Sequence, residues 1–159
     1  MKYNTIRKMD ISNGPGVRVS VFTQGCNIQC KDCFNSNLWD ITKGKEWTNK
    51  ETNLILELLD NKYVEGITWL GGEPSIWSED IIKINNLIWN MYHDKTIWLY
   101  TGHLINELPK RLINSVDVIV DGPFIKELKD INLAFRGSSN QQIYKIDKGN
   151  IINITHNYN

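Results

Sequence analysis

Every cysteine of this chain stands in one short run. In FTQGCNIQCKDCFNSN, Cys26, Cys30 and Cys33 fall close together, and no other position holds a cysteine. Free cysteine is usually a small buried hydrophobe, but Asn27, Gln29, Lys31 and Asp32 interleave these three and mark the run as a loop. A disulfide framework fits no better, because the count is odd and the spacing tight. Metal ligation remains, and the number of donors divides the choices. Structural zinc takes four ligands in a closed tetrahedron. The fourth would have to come from His93, His103 or His156, none at a ligand-like spacing from the cysteines, and a three-cysteine site completed by His103 stays open. A [4Fe–4S] cube normally takes four thiolates. Three leave one iron without a protein ligand and able to bind a small molecule, and gaps of three and then two residues let one loop wrap three corners.

The rest of the chain bounds the setting of that loop. At 159 residues it predicts one domain, residues 1–159, with a core that needs no staples. Eighteen basic and eighteen acidic residues give a net charge of zero, so no overall field draws the chain to nucleic acid or anionic lipid. No apolar run approaches the ~20 residues of a spanning helix, and MKYNTIRKMDISNGPG lacks the apolar core of a secretory signal. The expected location is cytoplasmic, with no membrane and no direct nucleic-acid partner.

β-rich apolar runs alternate with helical periodicity, which predicts an α/β fold with a mainly parallel sheet. The first strand is read at Val17–Thr23, after the NGPG turn. Thr48 and Glu51 form a capping box for a helix over 49–61, whose stripe is Leu54, Ile55, Leu58 and Leu59. GITWL is a strand ending in GGEP, and Ser78 caps a helix with Ile81, Ile82, Ile84, Leu87, Ile88 and Met91 on one face. TIWLY is a third strand, a short helix covers 105–112 with Pro109 disturbing it, SVDVIVDG is a fourth strand, and a hairpin turns around Gly149-Asn150. Ligands in such folds bind beyond the C-terminal ends of the strands. The cysteine loop, GGEP and YTG all sit there.

With CxxxCxxC followed by the aromatic Phe34, the chain resembles the radical S-adenosylmethionine enzymes. The resemblance implies a partial, open β/α barrel of that type. It also implies a [4Fe–4S] cluster on Cys26, Cys30 and Cys33, whose open iron is chelated by S-adenosylmethionine. One electron then cleaves that ligand to methionine and a 5′-deoxyadenosyl radical. By the same resemblance Gly71, Gly72 and Glu73 of LGGEP meet the amino group of S-adenosylmethionine, while Asp32, Cys33 and Phe34 offer backbone contacts to its nucleoside. Thr101, at the end of the next strand, is a candidate for its ribose or methionine end. Read as a plain turn, Gly-Gly-Glu-Pro would carry no such role; read as a strand stop, neither would Thr101.

Four further stretches narrow the resemblance. Asn13-Gly14-Pro15-Gly16-x-Arg18 shortly before the cysteines is similar to the glycyl-radical-enzyme activases. IWLYTG, VDVIVDGPF and LAFRGSSNQ resemble the activating proteins of anaerobic ribonucleoside-triphosphate reductase, in order from about Lys2 to Gln142. The implied function is hydrogen abstraction from a glycine of the reductase large subunit, with a flavodoxin-type protein as electron donor. No side-chain acid or base is needed, and none is read as catalytic. Glu73 departs from the aspartate frequent in the family, and the tail KIDKGNIINITHNYN has no placed match and no assigned role. Arg18 and Arg136 are read as ion pairs or, for Arg136, a contact to the reductase. Asp121 with Gly122 reads as a turn. Trp69 and Trp98 read as core, and Trp39, Trp47 and Trp77 as a weak docking surface. The alternatives are a compact deazapurine-forming relative acting on a small molecule, and a non-catalytic zinc module.

Overall fold

The computed structural model describes residues 1–158; Asn159, the last residue of the tail, lies outside them. In chain order it forms β1 (Lys2–Asp10), β2 (Val17–Thr23), β3 (Lys45–Glu46), α1 (Asn49–Leu59), β4 (Val64–Gly71), α2 (Ser78–Met91), β5 (Thr96–Tyr100), α3 (Lys110–Ile113), β6 (Val118–Asp121), β7 (Gln142–Asp147) and β8 (Asn150–Asn153). One sheet runs β3-β1-β2-β4-β5-β6-β7-β8. Its centre, β2-β4-β5-β6, is parallel, and its two flanks are antiparallel. The architecture is therefore mixed α/β, and the expectation of a mainly parallel sheet is corrected. β1 is the reason on one side: its KYNTIRKMD is largely exposed, so it lacks the apolar signal of a strand, yet it folds back onto β2 through the NGPG turn. On the other side the expected hairpin joins the same sheet through β6. Its turn falls at Lys148 and Gly149, both at positive φ, one residue earlier than expected.

The local signals explain the helices. Thr48 Oγ1 accepts from the Lys50 N–H at 3.2 Å, and Glu51 Oε2 accepts from the Thr48 N–H at 2.8 Å, closing the predicted capping box at the start of α1. Ser78 is the first residue of α2 and Trp77 occupies its cap position. Pro109 splits the helix expected over 105–112 into a single 3-10 turn, Ile105–Glu107, and α3, since proline lacks the N–H that a helix interior needs.

Strand side chains alternate between faces, and the two faces differ. Val19, Val21, Ile67, Trp69, Ile97, Leu99 and Ile119 face the helices and pack with Ile55 and Leu59 of α1, Ile81, Ile84 and Ile88 of α2, and Leu112 of α3. Trp47 and Trp77 join this cluster, Trp47 with its ring 5.7 Å from Trp69, so neither forms the docking surface expected of it. Trp77 Nε1 donates to the Gln24 carbonyl at 2.8 Å. On the other face Trp98, Val118, Val120 and Ile143 form a second cluster, covered by Phe135 and by Tyr158 of the tail. The Tyr158 ring lies 6.1 Å from Trp98 and 5.5 Å from Phe135, which gives the tail a packing role.

Arg18 also stands on that second face and is completely buried. Its Nε donates to Thr68 Oγ1 at 2.7 Å and its Nη1 to Thr96 Oγ1 at 2.9 Å. Its Nη2 donates to the carbonyls of Ile67 and Thr96, both at 2.8 Å. One side chain thus ties β2, β4 and the start of β5 together, and among the described residues it forms no salt bridge; the ion pair expected of it is corrected. Burial lowers its pKa to about 10, an effect that the charges of Asp117 and Glu65 partly offset, and it stays protonated at neutral pH. The NGPG turn is shaped around it. A Cβ on Gly14 would stand 2.8 Å from Arg18 Cδ, and the Thr68 hydroxyl donates to the Asn13 carbonyl at 2.7 Å. Replacing Arg18 by Met strips two buried carbonyls of their donors, and each such loss costs about 1–3 kcal/mol. Urea unfolding of Arg18→Met should show a stability lower by about 2–4 kcal/mol, with no dependence on pH between 6 and 8.

Candidate functional site

The ends of β2, β4 and β5 are level, with Thr23 opposite Gly71 and Trp69 opposite Leu99. Beyond them lies a cavity of about 250 Å³ lined by Cys26, Cys30, Cys33, Phe34, Gly71, Gly72, Glu73 and Thr101, among others. All the residues singled out from the sequence are therefore brought together, with one exception. Asp32 is turned away at a φ of +58°, and its carboxylate pairs with Lys126 Nζ at 3.0 Å.

The cysteine loop is fastened at its base by main-chain bonds. Gly25 N–H donates to Leu38 O at 2.7 Å and Cys26 N–H to Trp39 O at 3.1 Å. The GGE turn is fastened to the same base: Gly72 N–H donates to Thr23 O at 3.0 Å and Glu73 N–H to Gly25 O at 2.7 Å. This contact needs glycine. A Cβ on Gly72 would lie 2.1 Å from Gly25 O, and Gly71 adopts a φ of +113° with Thr23 N 2.6 Å from its would-be Cβ. The two glycines thus serve the approach of two loops to each other.

Glu73 is 1% exposed and almost fully satisfied within the protein. Its Oε1 accepts from Ser75 N–H at 2.9 Å and from the Thr101 hydroxyl at 2.8 Å, and its Oε2 accepts from Gly102 N–H at 2.8 Å. A carboxylate has about four acceptor positions, so one remains toward the cavity. Thr101 is held by this bond and accepts in turn from His103 N–H at 3.1 Å. Asp121 is buried, and its Oδ2 accepts from Ile105 N–H at 2.8 Å, a brace that the simple turn reading missed. Burial pushes its carboxyl above the usual range.

The thiols are partly buried and lie among main-chain N–H groups. Cys26 Sγ receives the Gln29 N–H at 3.5 Å and Cys33 Sγ the Asn35 N–H at 3.4 Å. The Cys30 sulfur receives the main-chain N–H of Phe124, nearly a hundred residues on. Burial pushes the Cys30 thiol up, and the charges of Cys33 and Cys26 push it further. The three cysteines share one loop and border one cavity. Among the described residues no group of three or more His, Cys, Asp and Glu side chains is gathered tightly enough to hold a single metal ion. His103, the candidate fourth zinc ligand, turns its Nδ1 to Glu107 at 3.6 Å. Three sulfurs around a cavity, and not around a point, fit the corners of an iron–sulfur cube.

Residues that the sequence reading passed over also line the cavity: Asn13, Asn35, Tyr100, Phe124, Gly137 and Gln141. Tyr100 had a signal, since alternation from the buried Trp98 places it on the site face at a strand end. Phe124 follows the end of β6 and so had a weak one. Its ring lies 5.1 Å from Phe34, over which Lys129 Nζ also stands at 4.8 Å. Asn35, whose Nδ2 reaches Gly71 O at 3.4 Å, had none.

Fold and site together define an iron–sulfur protein, and the model of the family described as "4Fe-4S single cluster domain" matches residues 12–144. Curated relatives narrow this. The protein called anaerobic ribonucleoside-triphosphate reductase-activating protein is 35% identical in Escherichia coli K12, over 92% of this chain and 99% of the relative. That of Salmonella typhi is 34% identical over 92% and 99%, and that of Enterobacteria phage T4 is 33% identical over 94% and 97%. The chain belongs to this family of reductase-activating proteins. A likeness to the crystal structure of QueE from Escherichia coli is slight, with 15% identity, a TM-score of 0.43, and 64% of this chain and 50% of that one covered.

Two outcomes test the site as described. Glu73→Gln sets an amide N–H against Ser75 N–H or Gly102 N–H, and should lower the unfolding free energy of the metal-free protein by about 1–3 kcal/mol in a urea titration. The raised pKa of Cys30 means less thiolate at a given pH. At pH 8 the metal-free folded chain should therefore be alkylated at Cys30 by iodoacetamide more slowly than the urea-unfolded chain, as read by peptide mass spectrometry, and the gap should narrow as pH rises.

Proposed function

We propose that this chain is a radical S-adenosylmethionine enzyme that activates anaerobic ribonucleoside-triphosphate reductase by creating a glycyl radical on it. The observation that carries the reading is the meeting of all three cysteines with Gly71, Gly72, Glu73 and Thr101 around one cavity at the strand ends. The names of the relatives support the target. The fold is read further as a partial β/α barrel: parallel strands at the centre and helices on one face alone leave the other face to form a concave interior. The chain is read as a single cytoplasmic domain; among the described residues no helix is long and apolar enough to cross a membrane.

Cys26, Cys30 and Cys33 hold the [4Fe–4S] cluster in this reading. When bound, the cluster would supply one-electron reductive cleavage of S-adenosylmethionine, with a flavodoxin-type protein as donor and the glycine Cα as the site of hydrogen abstraction. The chain's own groups bind and orient. An ammonium group needs acceptors, and the spare lone pair of Glu73 and the carbonyls of Gly71 and Gly72 supply them at the cavity wall. Thr101, fixed by Glu73, meets the same ligand, and Cys33 and Phe34 border its nucleoside. Asp32 acts indirectly, tying the loop to Lys126. Phe34, Phe124, Leu70 and Ile28 give the cavity an apolar lining, and the protein's part in chemistry carried by a bound cofactor is to orient it and limit side reactions.

Anaerobic reconstitution should load about four irons per chain, and reduction should then cleave S-adenosylmethionine; Cys30→Ala should lose both. Incubation with the reductase should give a glycyl doublet in the EPR spectrum of that partner. Stoichiometric zinc without iron after anaerobic purification would falsify the enzyme reading, and cleavage without the doublet would reject the target alone.

A further inference from the structure

We propose that Tyr100 binds the reductase segment that carries the target glycine, its hydroxyl donating to a main-chain carbonyl of that segment. The inference rests on the activase reading above and adds to it the group that receives the substrate. Beside the cofactor cavity lies a second chamber of about 270 Å³, lined by Ser12, Leu133, Phe135 and Arg136. Asn13, Tyr100 and Gly137 line both spaces and so form their junction. The second chamber contains no cysteine and no residue of the GGE turn. It is therefore set apart from the cluster's own surroundings, and the reaction has a second molecule to place.

Tyr100 is distinguished at this junction by its hydroxyl. The Oη atom is buried and has no hydrogen-bond partner among the described residues. A buried hydroxyl left unpaired costs about 1–3 kcal/mol, and native proteins rarely leave such groups unmet. Burial also holds the phenol well above its ordinary pKa, so at neutral pH it offers a proton to an acceptor. Arg18 on the same face is held by four oxygens of β4 and β5, and among the described residues no group, Arg18 included, bonds the Tyr100 hydroxyl. A main-chain carbonyl is the acceptor that every peptide brings, and in glycine it is bonded directly to the carbon that loses hydrogen. Holding that carbonyl at the junction places the Cα at the mouth of the cofactor cavity. The neighbouring Thr101 is fixed by Glu73, so the strand end that carries Tyr100 is anchored at the next residue.

Tyr100→Phe keeps the ring and removes only the hydroxyl. The reductase concentration giving half-maximal glycyl EPR signal should rise about five- to tenfold, the worth of one neutral hydrogen bond, with a smaller change in the limiting rate. The unfolding midpoint of the metal-free variant should not fall, because no internal bond is lost. An unchanged reductase requirement overturns the proposal, as does a lowered unfolding midpoint, which would reveal an internal partner. A higher S-adenosylmethionine requirement for cleavage without reductase also overturns it, by assigning the hydroxyl to the cofactor. These failures differ from failure of the activase reading, in which the wild-type chain gives no glycyl signal and both ideas fall.

Discussion

A buried guanidinium that forms no salt bridge among the described residues sets the frame of this protein. Arg18 spends its donors on two threonine hydroxyls and two main-chain carbonyls of β4 and β5. The charge is desolvated, which is costly in isolation, and the compensation is a set of charge-assisted bonds that fixes three strands relative to one another. The close approach of those strands depends on glycine as well: a Cβ on Gly66 would lie 1.9 Å from the Thr96 carbonyl. The Asn-Gly-Pro-Gly turn then follows as a necessity. Gly14 must be bare to lie on Arg18, and Gly16, at a φ of +69°, must be bare to pass Glu65.

Glu73 does the opposite-signed work at the other end of the same strands. It collects N–H and O–H donors from its own turn and from the end of β5. The parallel centre of the sheet is thereby fixed near both ends by a buried charge satisfied by neutral groups. That arrangement makes a rigid rim, and a rigid rim is what a cofactor-borne radical needs, since the protein contributes orientation and exclusion of water. The cysteine loop is held to this rim mostly by main-chain bonds, and the segment around Phe124 closes over it through the Cys30 sulfur, the Phe34 ring and the Lys126–Asp32 pair. The last of these is exposed and contributes little to stability; its consequence is to turn Asp32 outward.

Much of the site was legible because its chemistry is local. The cysteines, the GGE turn and Thr101 are each marked by residue type at a strand end, and parallel strands bring their C-terminal ends to one side. The helices were legible through capping and periodicity, apart from details such as the break at Pro109. The errors arose where exposure hid a pattern or where a partner was distant in sequence. β1 is too polar to read as a strand, so the antiparallel flank went unseen. Trp47 and Trp77 sit near loops in the sequence, but both pack into the helical face.

By itself the sequence determined which groups gather: three cysteines in one loop, two glycines and a glutamate after a strand, and the order of elements that carries them to one rim. Those are properties of residue type and spacing, which survive in one dimension. Only the tertiary structure decided that Arg18 is an internal brace, that Glu73 is nearly spent on its own protein, that Asp32 faces away and that Tyr100 stands between two chambers. Each of these depends on which donor meets which acceptor across tens of residues, and hydrogen bonds that act over about 3 Å leave no periodicity in the chain to announce them.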